Sequence, residues 1–377
     1  MKTTIQSLII ALALGAGIQQ AAAQIVIQSL SQNGVLVCTN LQPGSVASVQ
    51  WAASLAGPWQ SNWASLTGVA VGSNGVLAVS VPMFYRVVGV PATPTPPPGM
   101  AVVPTGGFTM GDTLDGESDA VPTNVIVSTF YMDTNLVSYS QWQAVYSYAL
   151  NHGYSFVNAG AGKAANHPLQ TVGWFDCAKW SNARSAQADL TPVYYTDAGF
   201  TQVFTTGDEG TTVYANWPAN GYRLPTEAEW EKAARGGLSG QRFPWGDTIT
   251  WSQANFYANP TAYGGYSYDL DPVQSFDPAF DGDGHPYTSP VGYFAPNGYG
   301  LYDLAGNVFE WCWDWYGTPY GQPTPNNPTG AGSTSGNRVF RGGSWADYAN
   351  SARCAYRFDE DPGFASDIIG FRCVRGL

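Results

Sequence analysis

Charge is scarce in these 377 residues, and basic charge is scarcest: Asp, Glu, Lys and Arg make up 11%, with 15 Lys+Arg against 27 Asp+Glu for a formal net charge of −12. No basic stripe is available to displace counterions from a phosphate backbone, which argues against a nucleic-acid binder. Histidine is limited to His152, His167 and His285, and no Cys-x-x-Cys occurs, so a zinc site is not expected. Beyond the N-terminal segment there is no apolar run of bilayer-spanning length. Cysteine is rare and odd in number: of Cys38, Cys177, Cys312, Cys354 and Cys373, at least one has no partner within the chain. The 44 Gly and 26 Pro leave little room for long helices.

Aromatic and apolar residues are what the chain has in quantity, 14% and 44% respectively. That is enough for proper cores, and the length favours two domains. The N-terminus pairs Lys2 with an apolar stretch from Leu8 to Leu14 and the small residues Ala21, Ala22 and Ala23. This pattern reads as a secretory signal peptide over residues 1–23 and predicts a secreted or periplasmic, cell-envelope protein with no membrane span. Over residues 24–90, β-rich runs (Ile25 to Leu30, Val35 to Thr39, Val46 to Trp51, Val76 to Val81, Phe84 to Val88) alternate with turn residues. A small, sandwich-like all-β module is expected there. Five prolines over residues 91–99 favour an extended linker.

Residues 100–377 offer three convincing helices. Ser138 and Gln141 stand at capping-box spacing and open one that runs to about Asn151; a second spans about Trp174 to Ala186. In the third, Thr226 to Arg235, Thr226 caps, Glu229 reciprocates and Gly236 terminates. After Gly237 no helical period appears, so a loop-rich domain with short strands is expected.

Most catalytic signatures fail. Gly330, Gly332 and Gly336 lack the spacing and flanking elements of a dinucleotide loop. Gly342-Gly-Ser344-Trp-Ala346 is a weak nucleophile elbow with no histidine after His285. Asp281-Gly-Asp283-Gly284 is no EF-hand, because that register puts Ala279 and Pro290 at the first and last ligand positions. Asp303 and Glu310 flank a Gly306-Asn307 turn, a pattern that suits either Asx-turn capping or calcium.

Several motifs occur together and in order: Phe108-Thr-Met-Gly111, Gly221-Tyr-Arg-Leu-Pro-Thr-Glu-Ala-Glu-Trp-Glu-Lys-Ala-Ala-Arg-Gly-Gly237, Pro244-Trp-Gly246, Pro296-Asn-Gly-Tyr-Gly-Leu-Tyr-Asp303, Gly306-Asn-Val-Phe-Glu-Trp311, Arg341-Gly-Gly-Ser-Trp345 and Gly370-Phe-Arg372. Over residues 100–377 the chain resembles the formylglycine-generating enzyme, or sulfatase-modifying factor, family. The resemblance implies a loop-rich α+β fold with a C-type-lectin-like core. It also implies two structural calcium sites. One would use the Asn255 and Asp283 side chains with the Phe256 and His285 carbonyls; the other would use Asp303 and Glu310 with the Gly306 and Val308 carbonyls.

The family's enzyme converts a sulfatase cysteine to formylglycine with oxygen and copper held by two thiolates, the soft ligands that Cu(I) requires. Those cysteines follow the Arg-Gly-Gly-Ser motif. Here that stretch is shorter, carries Asp347 near the first cysteine position, and has no cysteine between Trp313 and Arg353. The resemblance aligns Cys354 and Cys373 with structural half-cystines whose usual partners are replaced by Lys232-Ala233-Ala234 and Ser181. Cys177, one helical turn before Ser181, lies on the face from which either cysteine is in reach. Ser344, Asp347 and Cys354 are the cleft candidates; Trp313 and Trp345 are the candidate ligand platforms. Arg341, Arg353, Arg357 and Arg372 suit interior anchoring of loop carbonyls.

A calcium-stabilised, exported binding or scaffold domain without copper chemistry is therefore expected, its partner an exported protein or a glycan. The alternative is an oxidase acting on exported sulfatases. The iron-dependent sulfoxide synthases that share this fold need clustered histidines, which are missing.

Overall fold

The computed structural model describes residues 26–30, 35–41, 43–51, 69–80, 85–90, 95–116, 118–282, 284–318, 320, 325–332 and 336–377. The expected signal peptide, residues 1–23, and the candidate ligand Asp283 lie outside the described residues. Two compact units divide the chain between Pro94 and Thr95. No helix among the described residues is long and apolar enough to cross a membrane.

The first unit holds β1 (Val26–Leu30), β2 (Val35–Thr39), β3 (Val46–Trp51), β4 (Val69–Ala70), β5 (Leu77–Ser80) and β6 (Tyr85–Val90). They form two three-stranded antiparallel sheets, ordered β1-β2-β5 and β4-β3-β6. Five of these strands fall on the β-rich runs of the sequence, where alternate residues such as Leu36 and Cys38 turn inward and are buried; the two-residue β4 lies on none of those runs.

The second unit runs β7 (Met100–Val103), β8 (Gly106–Met110), β9 (Thr123–Val127), β10 (Phe130–Asp133), α1 (Tyr139–Leu150), α2 (Trp174–Gln187), β11 (Tyr194–Tyr195), β12 (Tyr214–Ala215), α3 (Glu227–Arg235), β13 (Phe309–Trp315), β14 (Arg338–Arg341), β15 (Phe358–Glu360), β16 (Ile369–Gly370) and β17 (Val374–Arg375). Its sheets are small: β15-β14-β13-β16, β17-β10-β7, and the pairs β8-β9 and β11-β12. In the first of these β13 runs parallel to β16 and antiparallel to β14. The result is a loop-rich α+β fold.

Local chemistry sets the helix limits. Ser138 Oγ accepts from the Gln141 amide at 3.2 Å, which opens α1. Around α3 the box is complete: Thr226 Oγ1 accepts from the Glu229 amide at 3.2 Å and Glu229 Oε2 from the Thr226 amide at 2.8 Å. Gly236 closes α3 at φ 56°, a left-handed conformation that glycine adopts without strain. Trp142, Trp174, Trp180, Trp230 and Trp311 are fully buried. Trp142 stacks on Trp180 at 5.7 Å and ties α1 to α2.

α3 is buried along its whole length in spite of its charges. Glu231 pairs with Arg341 at 2.5 Å and with Arg235 at 2.7 Å; Glu227 pairs with Arg357 at 2.5 Å; Glu229 pairs with Arg223 at 2.6 Å. The arginines expected to anchor loop carbonyls do so: Arg341 donates to the Cys354, Ala355 and Tyr356 oxygens, and Arg357 to Asp119 and Gly317. Each also meets a carboxylate, which the sequence reading left out: Arg353 meets Asp115 at 3.0 Å and Arg372 meets Glu310 at 2.6 Å.

Glu231→Ala leaves Arg341 and Arg235 without their shared carboxylate and is expected to cost about 3–5 kcal/mol, read from urea denaturation. Asp271 is buried near Asp269 and Asp277, and burial, aided by their charge, pushes its carboxyl up to about 7. A folded-state value above the ordinary 3.8 means that stability is lost as pH rises from about 4 to about 7. Asp271→Asn should therefore flatten that fall and be more stable than the parent at pH 8 by at most about 4 kcal/mol; an unchanged pH profile would contradict it.

Candidate functional site

β14 ends in the turn Gly342-Gly343-Ser344. Gly343 lies at φ 73°, and a Cβ there would stand 2.9 Å from the Ala352 amide nitrogen, so only glycine lets the two backbones approach. The turn buries Ser344, whose hydroxyl donates to Asp347 Oδ2 and accepts from the Ala346 amide at 3.2 Å. Burial raises the Asp347 carboxyl above the usual carboxylate range, and the Ser344 hydrogen bonds oppose that rise. The Asp347 carbonyl accepts from the Tyr257 amide at 2.9 Å, which fastens the turn to a second loop.

Aromatic rings gather around this turn. Trp345, itself buried, meets His285 at 4.7 Å, Tyr287 at 5.3 Å and Phe276 at 5.7 Å between ring centroids. Tyr257 joins Phe276 at 4.6 Å and Tyr348 at 5.6 Å. Tyr348 and His285 are exposed. Trp345 is thus the foundation of the cluster, and the exposed surface belongs to its neighbours. Trp313 is half-buried and stacks on Tyr194 at 5.3 Å.

The structure brings Ser344 and Asp347 together and places Cys354 in the core. Cys354 packs in a buried cluster with Trp230, Ala233, Ala234 and Cys312. Its thiol is pushed up to about 12 by burial, and Cys312 is held well above the ordinary thiol range for the same reason. All five cysteines are free and buried. Cys373 Sγ lies 3.4 Å from Ser181 Oγ, so serine stands where the resemblance places a partner sulfur.

At the turn between Asp303 and Glu310 the backbone is held left-handed at Asp303, Gly306 and Asn307, with φ of 55°, 74° and 67°. A Cβ at Gly306 would come within 2.2 Å of the Asn255 carbonyl oxygen. This close approach joins the two expected calcium loops, and the Asn307 amide donates to that same oxygen at 2.8 Å. Asp303 Oδ2 accepts from the Gly292 amide at 2.7 Å, while Asp303 Oδ1 is buried with no hydrogen-bond partner. Burial pushes this carboxyl up to about 6. An acceptor-only oxygen sealed from water without a donor fits a cation. Glu310 is already engaged by Arg372 through both oxygens, at 2.6 and 2.9 Å.

On the other loop, Asn255 is buried and its amide donates to the Tyr287 carbonyl at 2.7 Å. The Phe256 carbonyl accepts from the Trp251 indole at 3.2 Å. His285 lies beside Asp367, Nδ1 to Oδ2 3.2 Å. Among the described residues no three His, Cys, Asp or Glu side chains converge on a metal position. Both expected ligand sets draw half their oxygens from carbonyls, which such a cluster does not require.

The family model for the sulfatase-modifying factor enzyme 1-like domain matches residues 88–377. This chain belongs to that family. A formylglycine-generating enzyme of Streptomyces coelicolor is 33% identical over 324 residues, covering 76% of this chain and 92% of that protein. A chaperone protein of Paenibacillus barcinonensis, LppX, is 33% identical over 260 residues, covering 67% and 82%. Among solved structures, CarF superposes with a TM-score of 0.55 at 31% identity and covers 74% of this chain and 98% of that one. The family assignment made from the ordered motifs is thereby shown, as is the loop-rich α+β fold.

Tyr257, Phe276 and Tyr287 were not marked by the sequence, since each comes from a different loop and no local period joins them. Thiol accessibility tests the site directly. In native protein the four cysteines of the second unit are expected to resist Ellman's reagent and to react only under denaturant; fast native labelling of Cys354 would overturn its placement in the core.

Proposed function

We propose that this chain is an exported, calcium-stabilised binding member of its family, without copper oxidase chemistry. The observation that carries this reading is that the stretch after Ser344 has no cysteine before Cys354 and bears Asp347, hydrogen-bonded to Ser344, near the position where the resemblance puts the first thiolate, while Cys312 and Cys354 are buried in the core. A carboxylate is a hard ligand and does not replace a thiolate for Cu(I). The exposed rings of Tyr348 and His285 around the turn favour a glycan as the exported partner, because aromatic faces stack on apolar faces and the Asp347 carboxylate accepts hydroxyl donors. The C-type-lectin-like core is part of this reading, as a loop-rich scaffold that presents such a surface. Similarity to a relative named as a chaperone supports a non-oxidase role.

Calcium enters through the orphaned Asp303 oxygen. Asp303, Glu310 and the Gly306 and Val308 carbonyls would hold one ion; Asn255, Asp283 and the Phe256 and His285 carbonyls would hold the other. Bound there, calcium would give the orphaned Asp303 oxygen the partner it lacks and fix the turn beneath Trp345. The Trp345 amide already donates to the Asn307 carbonyl at 2.9 Å.

The oxidase reading is favoured by the identity to the Streptomyces coelicolor enzyme over most of its length. Cu(I) titration against a competing chelator, followed by oxygen-dependent conversion of a sulfatase-motif peptide, separates the two. We expect no stoichiometric copper and no aldehyde; tight copper with aldehyde formation establishes the oxidase. Calcium at a hundredfold excess over its dissociation constant should stabilise the protein by about 2.7 kcal/mol per site, and Asp303→Asn should abolish one site's share. Unfolding midpoints that ignore calcium and chelator alike would remove calcium from the proposal.

A further inference from the structure

Almost every buried cation among the described residues has a carboxylate beside it: Lys179 has Asp176, Arg223 has Glu229, Arg235 has Glu231, Arg341 has Glu231, Arg353 has Asp115, Arg357 has Glu227 and Arg372 has Glu310. Two do not. Arg338 lies against the Trp315 and Trp174 rings at 3.5 and 3.8 Å, which compensates part of its charge. Lys232, 6% exposed, has among the described residues only neutral carbonyls, those of Gly106 at 2.7 Å and Val127 at 3.4 Å.

Lys232 also lines a cavity of about 680 Å³. Its walls are β8 and β9, the C-terminal end of α3, the loop that follows α3, and Tyr299. Among the described residues no Asp or Glu lines it. Arg235, the other cation on the wall, spends its charge on Glu231. Phe108, Val125, Ile126 and Leu238 supply an apolar lining, and the paired glycines Gly106 and Gly107 leave the β8 wall bare. An ammonium has three donors and Lys232 uses two. Burial depresses it to about 8, the mark of a positive charge held away from water without a counter-ion. None of the lining residues belongs to the Ser344–Asp347 turn.

We propose that this cavity is a second ligand site, taking a small organic anion whose carboxylate or sulfonate pairs with Lys232 and whose apolar body lies between β8–β9 and Leu238. The volume is in the range of small-molecule sites, and the combination of apolar walls with one placed charge is their usual construction. A bound anion gives Lys232 the kind of partner that the seven paired cations already have. Its charge-assisted hydrogen bond is stronger than the bonds to carbonyls. The site does not rest on the reading of the cleft, and either stands without the other.

The probe is anilinonaphthalene sulfonate (ANS), an apolar anion whose fluorescence reports burial, titrated into the full-length mature protein. We expect saturable binding that weakens about tenfold in Lys232→Gln and stays within about threefold in Lys232→Arg, as loss and retention of one charge-assisted bond predict. Ser239→Trp, at the exposed rim, fills the cavity, leaves Lys232 in place and should also remove binding. Mass spectrometry after acetylation reads the site itself: saturating ANS should protect Lys232 and no other lysine. Undiminished ANS fluorescence in both Lys232→Gln and Ser239→Trp, or acetylation of Lys232 that ANS does not slow, overturns the proposal.

Discussion

The Glu231 carboxylate holds the second unit together. It is fully buried, accepts from Arg341 of β14 and Arg235 of its own helix, and also accepts from the Gly111 amide at 2.7 Å. One carboxylate thus joins α3, the end of β8 and the strand that leads into the Gly342-Gly343-Ser344 turn. Placing a carboxylate and a guanidinium in a dry interior is costly, and the cost is offset only where the remaining donors and acceptors are met. Arg341 meets them by donating to the carbonyls of Cys354, Ala355 and Tyr356, so the segment after the turn is fixed by the same cation. With Glu227–Arg357 and Glu229–Arg223 alongside, α3 serves as a charged axle for loops that have little regular structure of their own.

The same network explains which parts of this fold could be read from residues. α3 was legible because its capping box and terminal glycine are local signals, and α1 because Ser138 and Gln141 stand at the same spacing. The partners of its glutamates were not, since Arg341 and Arg357 are more than a hundred residues away and spacing carries no contact information. Asp347 was legible only through an ordered set of motifs that gave its position a meaning. On chemistry alone it is one acid in a Gly- and Asn-rich stretch. The orphaned Asp303 oxygen, the counter-ion-free Lys232 and the rings of Tyr257, Phe276 and Tyr287 depend on three-dimensional placement, and no period in the chain announces them.

Cysteine shows how far such a scaffold tolerates chemical change. Where the resemblance places disulfides, Cys373 faces Ser181 and Cys354 packs against Ala233 and Ala234. A disulfide closing a long loop typically contributes about 2–4 kcal/mol. Here those positions are filled instead by close packing: Trp230, Cys312, Cys354 and the alanines of α3 form one buried cluster, and Trp142, Trp180 and Phe371 another. Free, buried, protonated thiols behave as small apolar side chains in such cores. The loops are then tied by ion pairs and aromatic packing, independently of any sulfur.

This independence matters for the cleft. The Gly342–Ser344 turn takes its shape from the polypeptide itself. Gly343 closes against the Ala352 amide nitrogen, the Asp347 carbonyl is bound to Tyr257, and the Trp345 amide is bound to Asn307. The turn is held by backbone contacts from three loops, and the exposed Tyr348 beside it takes no part in them. A carboxylate at position 347, near the place where the resemblance puts a soft ligand, and an aromatic rim around it are accommodated without altering the elements that position them. The fold therefore fixes where the Ser344–Asp347 turn lies, while in the proposed binding reading the side chains of Asp347 and Tyr348 set what it recognises.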